Sequence, residues 1–260
     1  MKSEKLEAFG RLLDVMDKLR VECPWDREQT FESLRNNTIE ETYELIDAIN
    51  EGDMSGISEE LGDMLLHVVF YSKMGEEGNH FNIADVANGV SDKLIYRHPH
   101  VYSDVIANTP EEVKVNWEAL KLKKKSRKGG VLSGVPRSLP ALVKAYRISE
   151  KAAAVGFDWQ QREDVWAKVR EEMEEVEVEM AQNNQDALEA EMGDMLFAMI
   201  NACRKYGVDP EAALNRCNKK FISRFNYIEE QAKNNNKVIN ELSLDEMESF
   251  WQSAKKEFNN

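Results

Sequence analysis

The sequence predicts an all-α protein built as two duplicated domains, and three observations predict it. Apolar residues recur at helical spacing almost throughout, with no convincing alternating strand. Glycine and proline, the strongest breakers of regular structure, number 13 and 6 in 260 residues. Four motifs recur in the same order at a nearly constant offset.

Taken in order, the first element is an amphipathic helix over about residues 5–21, opened by the charged start MKSEKLEAFGRLLD. That start lacks the apolar centre and cleavage site of a secretory leader. A second helix over about 31–50 carries Ile39, Tyr43, Ile46 and Ile49 at intervals of four, three and three, which is one helix stripe. Helices over about 56–76, 82–97 and 110–126 complete the first half. The stretch KKKSRKGGVLSGVPRSLP then passes from a basic run to Gly, Ser and Pro, a linker composition. The expected division is a first domain over 1–125, a linker over 126–139 and a second domain over 140–260. The second half repeats the design with helices over about 140–154, 161–182, 186–206, 210–233 and 243–257. In it Val165, Val169, Met173, Val176 and Met180 form the matching stripe.

The repeats set the register of the duplication. Glu40-Glu41-x-x-Glu44 returns as Glu171-Glu172-x-x-Glu175, and Glu60-x-x-Asp63 as Glu191-x-x-Asp194, both 131 residues on. Lys93-x-x-x-Arg97 returns as Lys220-x-x-x-Arg224 at 127, and Trp117-x-x-x-Lys121 as Trp251-x-x-x-Lys255 at 134. Drift of this size is what loop-length differences produce.

Composition closes off several functions. A net charge of −14 opposes general nucleic-acid binding, because phosphate backbones attract basic surfaces. No apolar run approaches the roughly 18 residues of a membrane span. Three cysteines without a CxxC pair fit reduced thiols and a cytoplasmic protein. Neither half contains GxxxxGK[ST] or a nucleophile elbow.

The charge distribution is more informative than its total. From Asn36 to Ser72 there are nine carboxylates and no Lys or Arg; from Glu171 to Cys203 there are ten, again with no Lys or Arg. Residues three and four apart are neighbours on a helix, so Glu41 with Glu44 and Glu60 with Asp63 set like charges side by side. One such run alone reads as a solvated face, and Glu174, Glu177 and Glu179 are assigned to solvent on that ground. Duplication of the pattern, with an ExxD partner helix about 20 residues later, points instead to a hard-oxygen site for Mg²⁺, or Mn²⁺ in its place. Di-iron bundles use Glu-x-x-His; here the fourth position is Asp63 or Asp194, and all four histidines lie in the first half. Magnesium-assisted hydrolysis is therefore expected over redox iron chemistry. His67 is read as packed or as a neighbour of the site, and RHPH at 97–100 as a turn or a phosphate contact. The Lys93/Arg97 and Lys220/Arg224 pairs can neutralise phosphate oxygens. Trp117 and Trp251 can stack on a base or anchor a core, with Lys121 and Lys255 on the same helix faces.

These residues resemble the MazG family of nucleoside triphosphate pyrophosphohydrolases. The resemblance is carried by CPWDREQT at 23–30, the EExxE and ExxD pairs, KLIYRHPHVY at 93–102 and the tandem arrangement across GVLSGVPRSLPAL. It implies tandem four-helix-bundle-like domains, a homodimer, a need for Mg²⁺, and conversion of NTP and water to NMP and diphosphate with broad base tolerance. It implies metal ligands at Glu172, Glu175, Glu191 and Asp194, matched in the first half by Glu41, Glu44, Glu60 and Asp63. Nucleotide contacts would come from Lys168, Glu171, Lys220, Arg224, Trp251 and Lys255, with Glu171, Glu172 and Glu175 at the chemistry. The first-domain partner of Lys168 is Asn37, so the second domain is expected to be the main catalytic unit. The reading from another class is a non-catalytic nucleotide or divalent-metal sensor acting through protein contacts; within the superfamily, a dUTPase or a phosphoribosyl-ATP enzyme is the alternative.

Overall fold

A computed structural model describes residues 2–110, 112–113, 116–117, 120, 130–182 and 184–258. Among them there is no strand. The chain divides into two compact units, Met1–Val113 and Lys114–Asn260.

The first unit contains α1 (Lys2–Glu22), α2 (Pro24–Glu28), α3 (Arg35–Glu51), α4 (Met54–Glu77), α5 (Ile83–Arg97) and α6 (Pro99–Tyr102). Its core joins Met16 of α1 to Leu34 and to Val69, Phe70 and Met74 of α4. The α3–α4 hairpin turns on two residues. Gly52 takes a left-handed φ of 70° that a Cβ would disfavour, and Asp53 caps α4 by accepting from Ser55 N at 3.0 Å. The stripe Ile39, Tyr43, Ile46 and Ile49 does form one face of α3, but that face is exposed within a single chain. The helices α2 and α6 were not foreseen. Each is about one turn long with proline at its start, too short to display a period.

The CPWD segment is held from beneath by Arg20. Its guanidinium donates to Glu77 at 2.6 and 3.0 Å, to Gln29 O at 3.3 Å and to Asp26 O, and lies 5.4 Å from the Phe70 ring centroid. One buried cation thus ties α1, α2 and α4 together, and Trp25 stays exposed above it.

The second unit contains α7 (Ala141–Ala153), α8 (Val165–Gln182), α9 (Gln185–Lys205), α10 (Pro210–Asn234) and α11 (Leu244–Glu257). Val165 and Val169 of α8 bury against Ala198 and Ala202 of α9, whose small side chains bring the two helices close. Val176 of the expected stripe is buried too, whereas Met173 and Met180 are exposed. A second cluster of Ile228, Ala232 and Leu242 receives Phe250 and Trp251 of α11. Ser243 and Glu246 form a capping box at the start of α11. Glu246 also takes a 2.6 Å bond from Lys237, which with the cap bonds holds its carboxyl down at about 2. Inside the stretch read as linker, Val131–Gly134 forms a 3-10 turn packed on α7. The helix expected over 110–126 falls largely outside the described residues, and Lys121 lies outside them.

Candidate metal and nucleotide site

The carboxylates gather where the sequence pairs them. In the second unit Glu172, Glu175 and Glu191 bring ligand oxygens within 4.8 Å of one another; in the first unit Glu41, Glu60 and Asp63 do the same. Asp194 and Glu44 stand outside these tight sets.

Glu172 owes its position to α8. The buried residues of that helix are Val165, Val169, Glu172 and Val176, so a carboxylate occupies the stripe that otherwise builds the core. It is 4% exposed. An isolated charge at such depth is costly unless paired. Lys168, one turn earlier, places Nζ 2.5 Å from Glu172 and 3.0 Å from Glu171. Those two bonds raise the lysine above its ordinary pKa. The acidic zone counted from Glu171 thus has a counterion just beyond its edge, and the first unit has Asn37 at that position.

Lys168 does not neutralise the whole cluster. Burial, then the charges of Glu172 and Glu191, push the Glu175 carboxyl up. Glu41 is raised by burial and by Asp63, Glu44, Glu60 and Glu40, and Glu60 by burial and by Glu44, Asp63 and Glu59. Oxygen donors that close together, with proton affinity raised by burial and by mutual repulsion, fit a hard dication.

A cavity of about 800 Å³ opens beside the second cluster, and its wall includes Lys168, Glu172 and Asp194 together with Leu132, Phe157 and Phe197. That volume accommodates a nucleotide-sized ligand. Two cavities of the first unit, about 290 and 310 Å³, do not include Glu41, Glu44, Glu60 or Asp63 among their described lining.

The basic and aromatic residues are placed differently. Lys220 and Arg224 are on α10, Trp251 and Lys255 on α11. None is in the described lining of the cavity. The Arg224 guanidinium lies 5.6 Å from the Trp251 ring, with its Nε buried and unbonded, and Trp251 meets Phe221 at 5.0 Å. Trp251 is a core anchor here as well as a lid for the arginine. In the first unit Lys93 is exposed and Arg97 is half-buried; Trp117, past the end of that unit, is half-buried too. His67 is packed: Nδ1 is 2.8 Å from Thr38 Oγ1, which is 2.7 Å from Tyr71 OH, and burial lowers its pKa. At offset 131 these three positions become Ala198, Val169 and Ala202, the apolar core of the second unit. RHPH spans the end of α5 and the start of α6, with His98 between them and its Nδ1 2.7 Å from Leu94 O.

Sequence reading missed the turn that completes the cavity. Gly156 adopts φ 89°, and Phe157 and Asp158 follow it into the wall. Asp158 accepts from Arg204 at 2.5 and 3.1 Å and from Lys205 at 3.3 Å. Burial alone would raise this carboxyl, but its bonds to Arg204 and Lys205 outweigh burial and hold it below the usual range. Partners 46 residues apart leave no signal in a periodicity.

Fold and site together define an all-α protein with a duplicated acidic helix hairpin suited to divalent metal. The MazG nucleotide pyrophosphohydrolase domain matches residues 29–102 and again 160–228. The nucleoside triphosphate pyrophosphohydrolase of Escherichia coli K12 is 42% identical over 259 residues, covering 97% of this chain and 98% of that protein. The nucleoside triphosphate pyrophosphohydrolase/pyrophosphatase MazG of Thermotoga maritima is 41% identical over 250 residues, 95% of each chain. A Mycobacterium tuberculosis protein of the first name is 40% identical over 157 residues, 60% of this chain and 48% of its own. The chain belongs to the MazG nucleotide pyrophosphohydrolase family. No helix among the described residues is long and apolar enough to cross a membrane.

Proposed function

We propose that the protein is a Mg²⁺-dependent pyrophosphohydrolase that converts nucleoside triphosphates to monophosphates and diphosphate, with the second unit as its main catalytic site. One observation carries this reading: Glu172, which crowds with Glu175 and Glu191, shares the wall of a nucleotide-sized cavity with Asp194 and the cation Lys168. Glu172, Glu175, Glu191 and Asp194 would hold the metal, with Glu41, Glu44, Glu60 and Asp63 as the first-unit set. A dication there supplies charge neutralisation to the polyphosphate and acidifies water.

The chain's own groups do the rest. Lys168, partly desolvated between Glu171 and Glu172, offers its ammonium to phosphate oxygens. Glu171, exposed and beside the cluster, accepts the proton of the water that attacks the α-phosphorus. Lys220, Arg224, Trp251 and Lys255 are assigned to the nucleotide, with Lys93, Arg97, Trp117 and Lys121 as their counterparts in the first sequence repeat. Support for these is the family motif rather than a place in the cavity wall. Asn37 in place of a lysine supports a first unit that binds metal without comparable turnover. The exposed apolar faces of α3 and of α9, including Ile39, Ile46 and Leu196, support a homodimer that buries them. Free thiols at Cys23, Cys203 and Cys217 suit work in the reducing cytoplasm on the nucleotide pool.

Incubation of the full chain with each NTP and Mg²⁺, with products separated, tests the reading. The expected products are NMP and diphosphate, lost on chelation. NDP with phosphate contradicts it, and binding without turnover favours a sensor.

A further inference from the structure

Along α9 the cavity wall changes character in an order that suits a nucleotide. Asp194 comes first, Phe197 and Ala198 follow, and Asn201 comes last. Seven residues separate Asp194 from Asn201, two helical turns on one face, hence a rise of about 10 Å. That is comparable to the reach from an α-phosphate to the far edge of its base. Charged, apolar and amide groups therefore succeed one another as phosphate, sugar and base do.

The amide is held in one orientation. Arg204 Nε donates to Asn201 Oδ1 at 2.9 Å. An arginine nitrogen can only donate, so the oxygen must face it, and the usual ambiguity of amide assignment is removed. Arg204 cannot drift, because both its terminal nitrogens are bound to Asp158, which Lys205 also holds. Lys205 further donates to Trp159 O at 2.7 Å. Asn201 Nδ2 has no protein partner among the described residues. The cavity is thus offered an amide donor whose accompanying oxygen is turned toward Arg204.

Building on the pyrophosphohydrolase reading, we propose that Asn201 is a base-reading residue, selecting bases with an exocyclic oxo group: 6-oxopurines and 4-oxopyrimidines. A keto oxygen accepts from Nδ2. The amino group of adenine or cytosine at the same position sets donor against donor and leaves both unpaired. The result is a preference within a tolerant site, since stacking on Phe157 and Phe197 asks nothing of the base edge.

The test compares ITP with ATP and UTP with CTP, each pair differing at the oxo or amino position and the ring nitrogen beside it. Wild-type kcat/KM favours the oxo member of each pair by about tenfold, the scale of one desolvated hydrogen bond. Asn201→Asp keeps an acceptor for Arg204 while presenting an acceptor to the cavity, and brings the ratio below one. Asn201→Ala brings it close to one. Equal wild-type rates overturn the proposal, as does a ratio that survives both variants. A uniform loss over all four substrates also overturns it, by assigning the amide to sugar or phosphate. The same ratios are read from dissociation constants, so an absence of turnover, which refutes the pyrophosphohydrolase reading, still leaves Asn201 judged by binding.

Discussion

Glu172→Gln, placed in a chain whose first cluster is already neutralised by Glu41→Gln and Glu60→Gln, lowers metal-dependent diphosphate release by about 10³-fold or more. The size of the effect follows from where Glu172 sits. It is the deepest carboxylate of its cluster, on the core stripe of α8 and within 4.8 Å of Glu175 and Glu191. Glutamine preserves its shape and an oxygen for Lys168, so the fold is retained while a charged ligand is lost. Removing the charge also relieves Glu175, which Glu172 helps to push up. Thermal unfolding of the metal-free variant is therefore expected at or above the wild-type temperature, the pattern of a residue kept for function at a cost in stability. Near-normal turnover would place the chemistry elsewhere, and a large drop in melting temperature would make Glu172 structural.

Asp158→Ala destabilises the second unit by about 2–3 kcal/mol, between the values for exposed and fully buried ion pairs. The Arg204 and Lys205 side chains are each 12% exposed and Asp158 22%, so removal of the shared carboxylate leaves two cations largely out of water. For a domain of about 150 residues this corresponds to a fall of roughly 5–10 °C in melting temperature. Catalysis suffers as well, because Phe157 and Asn201 lose the anchor that fixes them. Asp158→Asn, which can still accept, falls between. Calorimetric melting of the two variants checks the order, and equal melting of wild type and Asp158→Ala contradicts it.

How much of this was legible in the sequence depended on the range of the interaction. The main helices were, because Val165, Val169 and Val176 announce α8 by spacing alone. So was the pairing of acidic hairpins, since the 131-residue repeat converts a common surface pattern into an uncommon coincidence. The fate of each face was not. Ile39 and Tyr43 keep perfect helical register yet lie exposed, because periodicity gives the face and not the partner that covers it. Helices α2 and α6 escaped because one turn cannot show a period. Lys168 was assigned to phosphate through its family motif, but its bonds to Glu171 and Glu172 needed coordinates. The chain from Asp158 through Arg204 to Asn201, and the entry of Leu132 into the cavity wall, are tertiary contacts with no local sequence signature.

The most direct measurement is calorimetric titration of Mg²⁺ and Mn²⁺ into the metal-free full chain, with and without a nucleoside triphosphate, near neutral pH and at about pH 5. Glu41, Glu60 and Glu175 are raised above the ordinary value of 4.5 in the folded chain. Above that value the folded state retains protons that the unfolded state has shed, so the metal-free chain loses stability as pH rises through the raised values. A dication replaces those protons. Saturable uptake near neutral pH, proton release, a higher melting temperature with metal, weaker binding at about pH 5 and reduced stoichiometry in Glu172→Gln are the expected results. Absence of uptake at millimolar metal under every condition would contradict the claim that these acids are held together for a cation.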